Sequence, residues 1–253
     1  MVDQASVATR NGQEPVVLDE DFQRLAEHTA SLPPARSSSQ RAFDVILHGI
    51  LTGMLPSGKR LKEIPLANAL GVGRTPVREA LMRLETDGFV TSEPRVGMVV
   101  AGNTVESLSE IYEVNEVLDG FAAQLAARYA RSSDLAAMRA VLVELAVATQ
   151  RHEIDIPRLR ALNSRFHELI HIAARNDQLR RQLRHLLNLI RLSPVSAYAV
   201  EGRAEESLAE HRAILDAIAA GDEARASELA SDHKRRDKEA RLSQMTTDTG
   251  FIS

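Results

Sequence analysis

GVGRTPVREALMRLETDGFV, residues 71–90, couples a glycine turn to a helix whose first turns carry Arg74 and Arg78. Thr75-Pro76 reads as the helix opening: Thr75 caps the free N–H groups, and Pro76 takes the first helical position, where its missing N–H costs nothing. Val77, Leu81 and Leu84 recur at helical spacing and form the packing face. Upstream, Phe43, Ile46, Leu47, Ile50, Leu51 and Met54 mark a first helix, with Ser39 as its expected N-cap and Gly53 near its end. EIPLANALG is a short second helix stopped by Gly71. Downstream, FVTSE and GMVVAG flank PRV as a hairpin. Three helices followed by a two-stranded wing predict a winged helix-turn-helix.

In that motif the second helix of the pair enters the major groove, and residues at its N-terminal end reach base edges. Arg74 and Arg78, four residues apart, project from one face of the helix start. Arginine there can grip guanine through two parallel hydrogen bonds or clamp phosphate, aided by the helix N-terminus. Thr75 can contact phosphate or base. Arg83 lies further along, in reach of DNA or of Glu79 four residues back. Arg95 sits at the wing tip, aimed at the minor groove or the backbone, and Gly97 lets the wing approach closely. A lone basic helix is ordinarily a solvated face, but here turn, helix start, charge and wing agree.

The charge distribution points the same way. Residues 36–102 hold nine Lys/Arg against six Asp/Glu, a net of +3, whereas the whole chain of 253 residues carries −4. A basic segment on an acidic protein orients it towards a polyanion. The chain has no cysteine, which excludes disulfides and thiolate zinc sites and leaves His, Asn, Asp or Glu for any metal. With no apolar run of about 18 residues and no leader pattern, the expectation is a soluble cytoplasmic protein without membrane contact.

The chain divides into a flexible N-terminal arm over 1–36, with one short helix near Asp21–Ala30, the winged domain over 37–102, an all-helical domain over 103–245 and a disordered tail over 246–253. From residue 105 onward the fold class is mainly α. Helices are expected at 105–130, 133–151, 156–174, 176–192, 203–220 and 222–243, an antiparallel bundle of six helices, or seven, with room for a site between them.

Three of the eight histidines share a property. His167 lies beside the stripe Leu162, Phe166, Leu169, with Asn163 one turn earlier. His211 is in phase with Leu208, Leu215 and Ile218, and His233 with Ala226, Leu229 and Ala230. Single histidines on apolar faces are ordinarily hydrogen-bonded core residues. Three on different helices, with an amide oxygen one turn away, favour a metal or anion site. His171 drifts round its helix and is expected at the surface, and His28, His48, His152 and His185 are expected to be solvated or partly packed.

GRTPVREALMRLETDGFV resembles the recognition-helix signature of the GntR family of bacterial transcription regulators. The helical remainder is similar to the C-terminal ligand-binding (FCD) domain of its FadR-type subfamily, and EIPLANALGVGRTPVREAL with EVLDGFAAQLAAR looks closest to the vanillate-type regulators. The resemblance covers about residues 38–243. It implies operator contacts by Arg74, Thr75, Arg78 and the wing near Arg95 and Gly97, and a homodimer on a palindrome of double-stranded DNA. It also implies a divalent metal, zinc, nickel or manganese, on Asn163, His167, His211 and His233, with Asn163 departing from the usual Asp. Related sequences carry an arginine where this chain has Asn115. Tyr112, Asn115, Arg165 and Tyr198 are the candidate pocket residues for a small organic acid effector.

The resulting expectation is a ligand-responsive regulator, a repressor rather than an enzyme, in which effector binding shifts the separation of the two winged domains. A hydrolase built on the three histidines is the alternative from another class, opposed by the direction of Glu168, about 100° from His167 on the helix. An architectural DNA-binding dimer without effector is the third.

Overall fold

The computed structural model describes residues 20–29, 37–150, 155–193 and 195–248. The arm outside Glu20–Thr29, His152 and the end of the expected tail lie outside them, as does the side chain of His28. The chain forms two compact units, residues 1–102 and 103–253.

In the first unit, α1 (Glu20–Thr29), α2 (Ser38–Leu51), α3 (Glu63–Leu70) and α4 (Arg74–Thr86) precede the hairpin of β1 (Val90–Glu93) and β2 (Gly97–Val100). The strands pair antiparallel, Val90 opposite Val100 and Glu93 opposite Gly97. Phe43, Ile46 and Ile50 of α2 are buried with Val77, Leu81 and Leu84 of α4, the stripes that the periodicity marks. Two caps differ from the sequence reading. Ser37, not Ser39, caps α2, its side chain accepting from the Gln40 N–H. Gly73 rather than Thr75 is the N-cap of α4, because its extended backbone lets the helix begin two residues earlier, at Arg74. Thr75 is therefore exposed inside the first turn and Pro76 follows it. Gly71 ends α3 at φ 63°, a left-handed conformation that glycine adopts without strain and that sets the tight turn into α4.

The short helix expected in the arm is α1, and it is packed rather than free. Phe22 and Leu25 are buried, and Lys59 Nζ donates to Asp21 at 2.6 Å. Burial of two such side chains contributes about 1.5–3 kcal/mol each, enough to seat the helix.

The second unit is all-helical: α5 (Val105–Tyr129), α6 (Ser132–Thr149), α7 (Ile156–Ala173), α8 (Asp177–Ile190), α9 (Arg203–Ala220) and α10 (Glu223–Asp248), with a 3-10 turn at Ala197–Ala199. Its core runs through Met138, Val141, Leu159, Phe166, Ile170 and Ile214. Helix α5 packs on α7, α8 and α9 and most extensively on α10. Gly120 explains how closely α10 can approach. A Cβ there would stand 2.3 Å from Ser231 Oγ and 3.1 Å from the Ser227 carbonyl. A glycine inside a helix costs about 1 kcal/mol relative to alanine, and here it admits the neighbouring backbone. The close crossing brings Lys234 of α10 within 3.6 Å of Asp119, the residue preceding Gly120. No helix among the described residues is long and apolar enough to cross a membrane.

Candidate functional site

Each unit carries one arrangement of side chains that packing alone does not explain. In the first unit a cleft of about 600 Å³ is lined by the segment leading into α3, by α3, α4 and the wing, with Arg60, Lys62, Glu63, Arg74, Arg78 and Gly97 among its residues. The side chains of Arg74 and Arg78 are 63% and 60% exposed, as an interface requires. Glu63, which the sequence reading passed over, holds both. Arg78 forks onto its carboxylate at 2.8 and 3.0 Å, and Arg74 lies 3.6 Å away. That pairing keeps the Glu63 carboxyl below its ordinary range, chiefly through the Arg78 hydrogen bond and despite a small burial penalty. Exposed ion pairs of this kind exchange readily for another anion, so the arginines are pre-aimed and still available.

Arg83 is placed differently. Its guanidinium lies 3.9 Å from the centre of the Phe43 ring and donates to Gln40 Oε1 at 2.9 Å. It approaches Asp87 at 4.0 Å and forms no ion pair with Glu79. It ties α4 to α2 while its side chain stays 53% exposed. Arg95, at the wing tip, is exposed and adopts φ 67°, which a side-chain-bearing residue holds at a cost of about 1 kcal/mol or more. Val96 N donates to the Glu93 carbonyl at 3.2 Å, closing a turn with Pro94 and Arg95 at its centre. Proline followed by a residue at positive φ is the type II pattern. Gly97 follows at φ 96°.

In the second unit, His167 (α7), His211 (α9) and His233 (α10) converge as expected, all buried. Nε2 of His233 is 3.2 Å from Nε2 of His167 and 3.2 Å from Nε2 of His211. Burial pushes the His167 imidazole down to about 3, with the Lys234 charge acting in the same direction. Burial, then the charge of His233, takes His211 well below its ordinary value. Both rings are therefore neutral near pH 7, the form that binds metal.

Carboxylates approach the outer nitrogens. His233 Nδ1 donates to Glu210 at 2.6 Å, which turns its Nε2 towards the other rings. His167 Nδ1 lies 3.2 Å from Asp119 Oδ2. Such partners fix the tautomer and orientation of metal-binding imidazoles. Asn163 Oδ1 is shut off from solvent and accepts no hydrogen bond among the described residues. An orphaned buried oxygen one turn before His167 is what a fourth ligand would leave, so these residues fit a divalent metal.

Two expectations are corrected here. His171 is not at the surface: it is buried, with Nε2 2.6 Å from Asp119 Oδ1. Helix α7 packs on both α5 and α6, so its covered sector is wide and a drift of about 40° stays inside it. Arg165 does not line the interior. It is exposed and pairs with Glu144 at 3.1 Å, because two residues turn the helix about 200° from the Asn163 side. Tyr112, Asn115 and Tyr198 are interior. Asn115 is fully buried and neither of its amide atoms finds a hydrogen-bond partner among the described residues, while the Tyr198 hydroxyl meets Ser207 Oγ at 3.3 Å. Burial raises both tyrosine hydroxyls above their ordinary range.

Asp119, Glu210 and Lys234 were missed. Only Asp119 left a signal: an acid in phase with the buried α5 positions Leu108, Tyr112 and Asn115.

The comparisons with known proteins agree with both halves. The model for bacterial regulatory proteins of the gntR family matches residues 38–100, and the FCD domain model matches residues 110–236. The uncharacterized HTH-type transcriptional regulator YdhC of Bacillus subtilis is 32% identical over 169 residues, which is 67% of this chain and 75% of that protein. The gluconate operon transcriptional repressor of the same species is 40% identical over 72 residues, 28% of this chain and 29% of that one. Among solved structures, Escherichia coli McbR/YncC superposes with a TM-score of 0.66 at 25% identity, covering 84% of this chain and all of that one. A winged helix-turn-helix carrying paired arginines, joined to a helical domain that matches the FCD model over half the chain, places this protein in the GntR family of bacterial transcription regulators, in its FCD-domain branch.

Proposed function

We propose that the protein is a homodimeric repressor that binds a palindromic operator through its winged domain and is released by a small organic acid held in its helical domain. The observation that carries the effector half is the convergence of three buried imidazole Nε2 atoms beside the orphaned Asn163 oxygen. His167, His211, His233 and Asn163 would hold the metal. An imidazole-rich set suits zinc or nickel better than manganese. The chemistry such an ion supplies is a fixed positive charge to which a carboxylate can bind, and Asn115 on α5 offers a donor and an acceptor that are unpaired among the described residues. Arg74, Thr75 and Arg78 would read the major groove, with Arg95 and Gly97 at the backbone or minor groove. Effector and operator binding are then linked reciprocally.

The test is to select operator sites from random duplex DNA and measure affinity in a panel of small carboxylic acids, with and without zinc. Weakening by at least one acid in wild type, lost in His211→Ala, supports the reading. Operator binding indifferent to every acid, with zinc present or absent, argues for an architectural dimer instead.

Support for the dimer comes from α5, where Val114, Val117 and Phe121 stand 51%, 66% and 43% exposed at helical spacing. An apolar stripe in water is ordinarily covered by a partner surface, and a two-fold dimer buries it against itself. Phe121→Glu is expected to shift the protein to monomer in sedimentation at micromolar concentration, with its helical circular dichroism retained. A dimer that survives the substitution would place the interface elsewhere.

A further inference from the structure

Lys234 follows His233 on α10 and is buried with it, at 3% exposure. Its Nζ stands 3.1 Å from Nε2 of His167 and 3.6 Å from Asp119 Oδ2. That His167 nitrogen is the one facing His233 Nε2 at 3.2 Å, on the side where the imidazoles converge. The atom that would ligate a metal is thus already engaged by a cationic donor. Its partner nitrogen, Nδ1, lies by Asp119, so a proton on Nδ1 and a lone pair on Nε2 suit both neighbours. The other acids around the cluster are committed elsewhere: Glu210 accepts from His233, Arg203 and Arg236, and Asp237 from Arg203. Asp119 is the carboxylate in direct reach of Lys234 and is shared with His171, while the charge of Asp237 acts on Lys234 from further off. A second cation entering this pocket meets a like charge in a region with little solvent to screen it. A lysine on a flexible stem can compete for the position and can also be moved aside.

We propose that Lys234 is a tethered cation competing with the divalent metal for His167 Nε2, and that it holds the metal affinity of this donor set below what the imidazoles and Asn163 would otherwise provide. The inference rests on the reading that these histidines bind metal. It makes Lys234 the residue that decides how readily the site loads, independently of the ligands themselves.

The test measures zinc affinity of the full-length protein by competition with a chromophoric chelator, for wild type, Lys234→Met, Lys234→Gln and His211→Ala. Either neutral variant should bind zinc more tightly than wild type, by about tenfold or more, the direction required when a like charge leaves a buried pocket. Lys234→Gln keeps a polar tip, which guards against a folding defect in Lys234→Met, and circular dichroism checks both. Zinc binding that depends on His211 yet is unchanged or weaker in the neutral variants overturns the role of Lys234 and leaves the metal site standing. No His211-dependent zinc binding in any variant overturns the metal site and the proposal with it.

Discussion

Replacing Arg78 by alanine is expected to weaken binding to a selected operator by roughly 10- to 100-fold, the loss that follows when a bidentate base or phosphate contact is removed. Its guanidinium is exposed, near the start of α4, and held in fork geometry by Glu63. Exchange of the Glu63 carboxylate for DNA requires little rearrangement, so most of the arginine's interaction is available to the complex. Fluorescence anisotropy on operator and scrambled duplexes at two salt concentrations separates the possible roles. A base contact lowers affinity for the operator more than for the scrambled duplex; a phosphate contact lowers both and flattens the salt dependence. Arg83→Ala is the internal control. Because Arg83 covers Phe43 and bonds Gln40, its loss should reduce thermal stability more than operator affinity. Equal operator affinity for Arg78→Ala and wild type would remove Arg78 from the interface.

The second large effect is on stability against acid. In metal-free protein His167 is neutral down to about pH 3 and His211 is held well below its ordinary value, while in the unfolded chain both protonate near pH 6.5. Below pH 6.5 the unfolded state therefore binds protons that the folded interior excludes. Stability falls as pH falls, by about 1.4 kcal/mol per pH unit for a histidine fully in this regime. His171 works in the opposite sense. Burial disfavours its charge, but the bonds to Asp119 and Glu168 prevail and raise its value, so its contribution is full below the unfolded value and is lost as pH rises. Two depressed imidazoles outweigh one raised. At lower pH the carboxylates join in: Glu210 and Asp237 are held down to about 2, Glu210 by its bonds to His233 and Arg203 and Asp237 by the charges of His233 and Lys234, each against burial. Their contribution is present above the unfolded carboxylate range and disappears as pH drops through about 2. Thermal melts in chelator should accordingly show the midpoint declining from about pH 6.5 downward rather than from about pH 4.5. A midpoint flat between pH 7 and 5 would mean that the histidines are solvated and the cluster is not closed.

Local physics made much of this protein legible before any tertiary structure. The glycine at 71, the Thr75-Pro76 start and the β-branched runs around Pro94 are short-range signals, and each marks an element within a few residues of where it lies. The inward turn of His167, His211 and His233 follows from helical period alone, as does the exposed face of Arg74 and Arg78. Even there the detail is decided by backbone competition, since Gly73 took the cap assigned to Thr75.

What the sequence by itself determined is therefore the class of each segment and the side on which its chemistry sits. Tertiary structure alone decided the pairing. Glu63 meets Arg78 across 15 residues, Asp119 meets His171 across 52, and Lys234 meets His167 across 67. No periodicity links such positions. They are brought together by how helices cross, and at α5 and α10 that crossing depends on one missing Cβ at Gly120. The same cause corrected His171, because whether a helical position is covered depends on how many neighbours pack around the helix, a property the segment's own residues do not contain; Arg165 followed from helical period alone.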